Sequence, residues 1–322
     1  MNIRLITPAR LGKKAGNSVT AIRWASILRE LGHEVVIAHE YREEPADIAI
    51  ALNAYRSADA IEAFRQRHPD RPLVVALTGT DLYRFKHSHA HVTERSMELA
   101  DRLVVLNHLA HKAVPESEHQ KLFLIYESAR PLPGPRKPSM RSFDVCVIGH
   151  LRDEKDPLRT AHAVRDLPEG SRIRVRHYGA AHTRTWARRA QEEMRRNRRY
   201  HWMGEVAHWR VRRGLSRCRL MTLTSNMEGG PNVLSEAVVA GVPVISSNID
   251  GVVGVLGEDY PGYFPVGDTK ELRRRLVQAE TDPMFVEQLE RHVVREAPRF
   301  SRRREKARWA ELLDALGPGA GG

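Results

Sequence analysis

Short apolar runs recur along the chain, separated by polar stretches of helix length. "IRLIT" (3–7), "EVVIA" (34–38), "DIAIAL" (47–52), "LVVAL" (73–77) and "RLVVL" (102–106) read as strands. Continuous apolar strands alternating with helices predict a parallel sheet covered on both faces. Between the first two runs, "SVTAIRWASILREL" places Val19, Ile22, Ala25, Leu28 and Leu31 near helical spacing. Ser18 is expected to cap that helix and Gly32 to stop it, and the loop before it is "PARLGKKAGN".

The alternation breaks at "ARPLPGPRKPSM" (129–140), where four prolines and a glycine exclude a helix or a central strand and predict a linker. It restarts with "FDVCVIG" (143–149), "RIRVRHYG" (172–179), "CRLMTLT" (218–224) and "VPVIS" (242–246). The expected organisation is an N-terminal Rossmann-like domain over 1–128 and a linker over 129–140. A second Rossmann-like domain follows over 141–295, then a terminal amphipathic helix and frayed tail over 296–322. The fold class is α/β, with two doubly wound parallel-sheet domains facing across a cleft; such sheets bind ligands outside the carboxyl ends of their strands.

Composition narrows the function. The chain has 322 residues, 41% of them hydrophobic, and no apolar run long enough for a membrane span. The start, "MNIRLITPAR", is too short in apolar residues for a secretory signal, and Cys146 and Cys218 lie in strand-like runs, so a cytoplasmic protein without disulfides is expected. The net charge of +12 admits nucleic acid, an anionic membrane or a small anionic substrate. Its densest stretch, "RTWARRAQEEMRRNRRY" (184–200), carries glutamates and no stacking aromatics within the basic run, so it reads as a solvated helix face rather than a nucleic-acid stripe.

Candidate chemistry gathers in "LMTLTSNMEGGPNVLSEAVVAG". The strand is expected to end near Thr224, the helix to begin at Pro231 or Asn232, and Gly241 to end it. Glu228 then sits on the strand-end loop and Glu236 about a turn inside the helix. The helix N-terminus, with the Gly229 and Gly230 amides beside it, offers N–H donors to a phosphate. A structural reading stands beside this one, with the glutamates as a dipole partner and a surface charge. "CVIGHLRDEKDP" puts Gly149 to Lys155 on a second strand-end loop, where Arg152 and Lys155 can reach a diphosphate.

"EGGPNVLSEA", "GHLRDEK" and the paired alternating domains resemble the retaining nucleotide-sugar glycosyltransferases of GT-B architecture. That resemblance implies that Glu228 holds sugar hydroxyls and Glu236 the ribose, with the backbone of Gly229, Gly230, Pro231 and Asn232 facing the sugar and β-phosphate. His150 stands where the family has an arginine; Arg152 supplies that charge here and Lys155 keeps its place, while "HWMGEV" puts Met203 and Gly204 at the base. A narrower resemblance, carried by "ALNAYRSADAI", "TGTDLYR", "ADRLVVL", "MEGGPNVLSEA" and "GEDYPGYFPVGDT" and reaching to about residue 285, is to the selenosugar synthases of selenoneine biosynthesis. It implies a UDP-sugar donor, UDP-N-acetylglucosamine, and selenophosphate as acceptor, with neighbouring pathway enzymes as partners. Asn53 departs from the histidine common in the wider superfamily.

An anionic selenium nucleophile needs little base catalysis but does need cations and N–H donors where it docks. On the first-domain loops these are Arg10, Lys13, Lys14, Gly16 and Asn17, with Thr78, Gly79 and Thr80 on a neighbouring strand end. Asp81 either orients a donor hydroxyl or closes the turn. Catalysis is assigned to Lys155, Arg152 and Glu228. His87, His89 and His91 lack companion ligands, and the chain has no Asp-x-Asp and no Gly-x-Gly-x-x-Gly in its first loop, so neither a metal nor any other cofactor is expected. The alternatives are transfer from a UDP-sugar to an alcohol acceptor, glycan or lipid, and a non-catalytic nucleic-acid-binding protein on the same fold.

Overall fold

The computed structural model describes residues 1–8, 16–42 and 44–317. The chain divides into two compact units: residues 1–128, 228–232 and 302–322 in the first, and 129–227 and 233–301 in the second.

The first unit is built on β1 (Asn2–Ile6), β2 (Glu34–Ala38), β3 (Ile48–Leu52), β4 (Leu73–Leu77), β5 (Arg102–Val105) and β6 (Leu122–Leu124), in the order β2-β1-β3-β4-β5-β6. Every neighbouring pair is parallel. β3 and β4 are buried along their whole length, as continuous apolar strands in the middle of a two-faced sheet should be. The helices are α1 (Gly16–Glu30), α2 (Ala58–Arg67), α3 (Lys86–Ser88) and α4 (Ala90–Leu99). α1 begins two residues before the expected cap: Ser18 is a buried residue of its first turn, so it does not cap it. Gly32, at φ +88°, ends the helix, and the His33 N–H returns to Leu28 O at 3.2 Å.

The second sheet contains β7 (Phe143–Ile148), β8 (Ile173–Tyr178), β9 (Tyr200–Trp202), β10 (Leu220–Leu223), β11 (Val244–Ser247) and β12 (Tyr263–Phe264), in the order β12-β11-β10-β7-β8-β9, again all parallel. Its helices are α5 (Arg159–Ala163), α6 (Arg184–Arg196), α7 (His208–Arg217), α8 (Asn232–Val239), α9 (Asp250–Leu256), α10 (Thr269–Thr281) and α11 (Pro283–Glu296). Strand order reverses between β7 and β10, the switch point beside which doubly wound sheets bind ligands.

Coverage on both faces fails at β8, next to the edge strand β9. Along β8 burial alternates, with Arg174 and Arg176 exposed between buried Ile173, Val175 and His177. Two arginines in an apolar strand keep their charge only where no helix covers them. The basic helix α6 is largely exposed, as its charge run suggests.

Residues 129–142 form neither helix nor strand, yet they are tied to the second unit: Lys137 N–H donates to Ser216 O at 2.8 Å and the Arg136 guanidinium to Cys218 O at 3.1 Å and to Glu290 Oε1 at 2.9 Å. The last helix, α12 (Arg302–Asp314), belongs to the first unit. Its Trp309 meets Trp24 of α1 edge-on at 4.8 Å, and Leu312 and Leu313 join the same core.

Candidate active site

The second unit gathers the loops at the carboxyl ends of its strands. β7 runs into Gly149–Lys155, and β10 into residues 224–227. The two loops, flanking the switch point, are tied together: Asn226 N–H donates to Glu154 O at 2.9 Å, Asn226 Nδ2 to Asp153 O at 3.1 Å, and Thr224 Oγ1 to Lys155 O at 3.2 Å and Asp156 O at 3.0 Å. Lys155 and His150 line one small pocket with Thr224 and Ser225. Arg152 Nε lies 3.8 Å from Glu154 Oε2, beyond hydrogen-bond reach, and is buried with no acceptor among the described residues.

The loop after β8 braces the loop after β7. Leu151 pairs with Ala181, and the Ala180 N–H donates to His150 Nδ1 at 3.1 Å. His150 thus spends a ring nitrogen holding the loop. A Cβ on Gly179 would collide with Gly149 O, so the close approach of the two loops requires glycine at 179. Met203 and Gly204 follow β9; the Met203 N–H donates to His177 O at 2.8 Å, and Gly204, at φ +66°, accepts from the Gly179 N–H at 2.9 Å.

His177 is a support that the sequence reading missed. Fully buried under the loop, it contacts Gly149 O at 3.0 Å through Nε2 and Tyr200 Oη at 2.9 Å through Nδ1. Burial pushes its pKa down to about 4, so the ring is neutral near pH 7, donating to Gly149 from Nε2. The available signal was its place on the inward face of β8, two residues after Val175.

α8 begins at Asn232, the second of the two expected starts, with Pro231 ahead of it, and Gly241, at φ +63°, follows its end. Glu236 lies in this helix, where His208 Nε2 at the start of α7 is 3.2 Å from its Oε1.

Glu228 to Asn232 are part of the first unit, packed on the ends of β4 and β5. Glu228 is buried. A Cβ on Gly229 would lie 2.5 Å from Thr78 C, and one on Gly230 2.5 Å from Leu106 Cβ, so both positions need glycine. Asn107 Nδ2 donates to Gly229 O at 2.6 Å, and the Arg23 guanidinium to Asn232 Oδ1 at 2.6 Å. Arg23 is clamped between the buried carboxylates Glu127 and Glu305, and Trp24 Nε1 donates to Glu305 at 2.9 Å. Burial opposes charge on Arg23, but the two carboxylates prevail and raise its pKa; burial pushes Glu127 up. Polar residues on α1 and α12 gave no sequence signal for this network.

Of the acceptor-side residues, Arg10 and Lys13, like Lys14, lie outside the described residues. Gly16 and Asn17 open α1. Thr78 and Thr80 hydroxyls each accept from Asn53 Nδ2 at 3.0 Å, and Gly79, at φ +116°, sits against Gly229. Asn53 itself is held at φ +74° and buried. Asp81 closes the turn: its buried carboxylate accepts N–H groups from Thr78, Gly79 and Ala54 at 2.8–3.1 Å, which leaves no oxygen for a donor hydroxyl. Burial raises its pKa, opposed by those N–H groups. Among the described residues no group of His, Cys, Asp and Glu is arranged to hold a metal, and no helix is long and apolar enough to cross a membrane.

Residues 135–299, just over half of the chain, match the family described as glycosyl transferases group 1. The chain belongs to the group 1 glycosyl transferases. Among solved structures it is similar to HepE of Anabaena in complex with UDP, with a TM-score of 0.77 at 15% identity over 98% of this chain and 100% of that one. It is similar also to the sucrose-phosphate synthase of Thermosynechococcus elongatus, with a TM-score of 0.82 at 14% identity over 98% of both chains. A glycosyltransferase of Rickettsia africae gives 0.74 at 12% identity over 99% of both. At such identities the likeness is one of fold, and this glycosyl transferase has the two-sheet α/β architecture called GT-B. No curated protein matches the sequence.

Proposed function

We propose that this glycosyl transferase moves the sugar of UDP-N-acetylglucosamine onto selenophosphate. Selenium attacks the anomeric carbon and forms the carbon–selenium bond as the bond to UDP breaks; UDP leaves with the electron pair. Water then cleaves the selenium–phosphorus bond, giving a selenosugar and phosphate. Arg152 Nε carries the donor half of this reading, because it is a buried N–H with no hydrogen-bond acceptor among the described residues, on a loop at the switch point, where a diphosphate oxygen would complete it. Lys155 offsets the charge that grows on UDP, Glu236 holds the ribose, Glu228 the sugar hydroxyls, and the Gly229–Asn232 backbone faces the β-phosphate. UDP in the HepE complex is consistent with this donor class.

The acceptor half rests on what stands at the ends of β3 and β4. Asn53 is not a base, and the Asp81 carboxylate is taken up by its turn. An acceptor that arrives as an anion suits that corner better than a hydroxyl that must lose a proton. The Thr78 and Thr80 hydroxyls, with Gly16 and Asn17, supply its hydrogen bonds, while the Gly79 N–H stays with Asp81. The test is incubation with UDP-N-acetylglucosamine and either selenophosphate or simple alcohols under anaerobic conditions, read by mass spectrometry. A selenium-bearing hexosamine with stoichiometric UDP is expected; turnover of the alcohols alone would overturn the acceptor assignment.

A further inference from the structure

One face of the second sheet, along β7 and β8, forms the floor of a trough. Across the register Cys146 faces Arg176, which faces His201, and residues directly opposed in a sheet share a face. α7 lies along one side of this face; a Cβ on Gly214 would come within 2.6 Å of Tyr178 Oη, so glycine lets the helix settle onto the strand. The result is a cavity of about 800 Å³ whose wall carries Lys137, Arg141, Arg176, Arg210, Arg213 and Arg217. Asp144 is the one carboxylate in that wall and lies 3.7 Å from Arg176. Lys137, Arg141, Arg213 and Arg217 have no carboxylate partner among the described residues.

Six cations beside one acid in a concave wall favour an anionic ligand. The volume lies within the roughly 300–1,000 Å³ of small-molecule sites. Trp209, 59% exposed, stands at the rim with the Arg210 guanidinium 5.3 Å from its ring centre, leaving an aromatic surface for a planar base. The trough runs from Asp144 and the residues before β7 along this face to Tyr178 at the end of β8 and Met203 after β9, so its far end borders the residue placed at the donor base, while Lys155 and Glu236 do not line it.

We propose that this trough binds a nucleoside polyphosphate, its linked phosphates on the α7 arginines and its base against Trp209. ATP is the probe, titrated by calorimetry. ATP binding should persist in Lys155→Ala/Glu236→Ala, which disables the donor loops, and weaken at least tenfold in Arg213→Glu/Arg217→Glu, whose side chains are exposed. Circular dichroism checks the fold of both, and Arg141→Glu provides an independent reversal expected to act the same way. No ATP binding, or loss in the donor-loop variant with retention in the arginine variants, would overturn the proposal. Pyrophosphate as tight as ATP, or a single-stranded RNA that binds more tightly and displaces ATP, would overturn the ligand class.

Discussion

Lys155 and Glu236 do different work if the donor reading holds, and kinetics separates them. Lys155 meets charge that exists fully only as UDP departs, so Lys155→Ala is expected to lower kcat by about a hundredfold, the loss of one oxyanion-type donor. Glu236 holds hydroxyls that are the same in ground and transition states. Glu236→Ala should therefore raise KM for the UDP-sugar about tenfold with little change in kcat, and His208→Ala, which frees that carboxylate, should move KM the same way. Steady-state rates against donor concentration check both. His177 adds a pH dependence. Its folded pKa of about 4 lies below the unfolded 6.5, so the unfolded chain takes up the proton first. The contribution is full above pH 6.5 and is lost as pH falls from 6.5 to about 4, a swing on the order of 3 kcal/mol. Denaturant titrations at pH 7, 5.5 and 4 should show that slope, and His177→Gln should flatten it. Glu193 extends acid sensitivity lower: burial opposes its charge, but Arg165, Asn197 and Arg196 hold it down to about 2, so its share is lost below pH 4.5.

Strands were legible in proportion to their apolar length. β3 and β4 are unbroken apolar runs in the middle of their sheet, and such runs announce themselves. β6, β9 and β12 have two or three residues, too few for any periodicity, and exist because a neighbour offers a free edge. β8 alternates isoleucine, arginine and valine, a pattern that marks one exposed face, and there the uncovered face lies. The strand-end loops around Lys155 and Glu228 were legible because glycines and charges cluster there; the network of Arg23 with the buried Glu127 and Glu305 was not, since charged residues normally face water. At this scale α12 carries a direct prediction. Trp309 is fully buried against Trp24, so Trp309→Ala should cost about 3–5 kcal/mol in chemical denaturation, far more than truncating an exposed surface residue.

For the molecule as a whole, ligand linkage reports on the donor site. UDP at about a hundred times its Kd should stabilise the folded chain by about 2.7 kcal/mol, visible as a rise in Tm. The shift should shrink in Arg152→Ala, which removes the buried N–H donor, and a full shift there would take Arg152 out of the donor site. The net charge of +12 was plain from composition, but its distribution was not: α6 spreads its arginines into solvent, while the α7 face concentrates them in one concave wall.

The tryptophan pair of α1 and α12 also sets an order on biosynthesis. The first sheet has left the ribosome long before its last helix exists, because residues 129–301 are made in between, apart from the short 228–232 segment. At about 5–20 residues per second the nascent first unit waits on the order of 10–35 s with its α12-facing core uncovered. A chaperone has its clearest opportunity in that interval, and expression of residues 1–128 alone should yield insoluble protein.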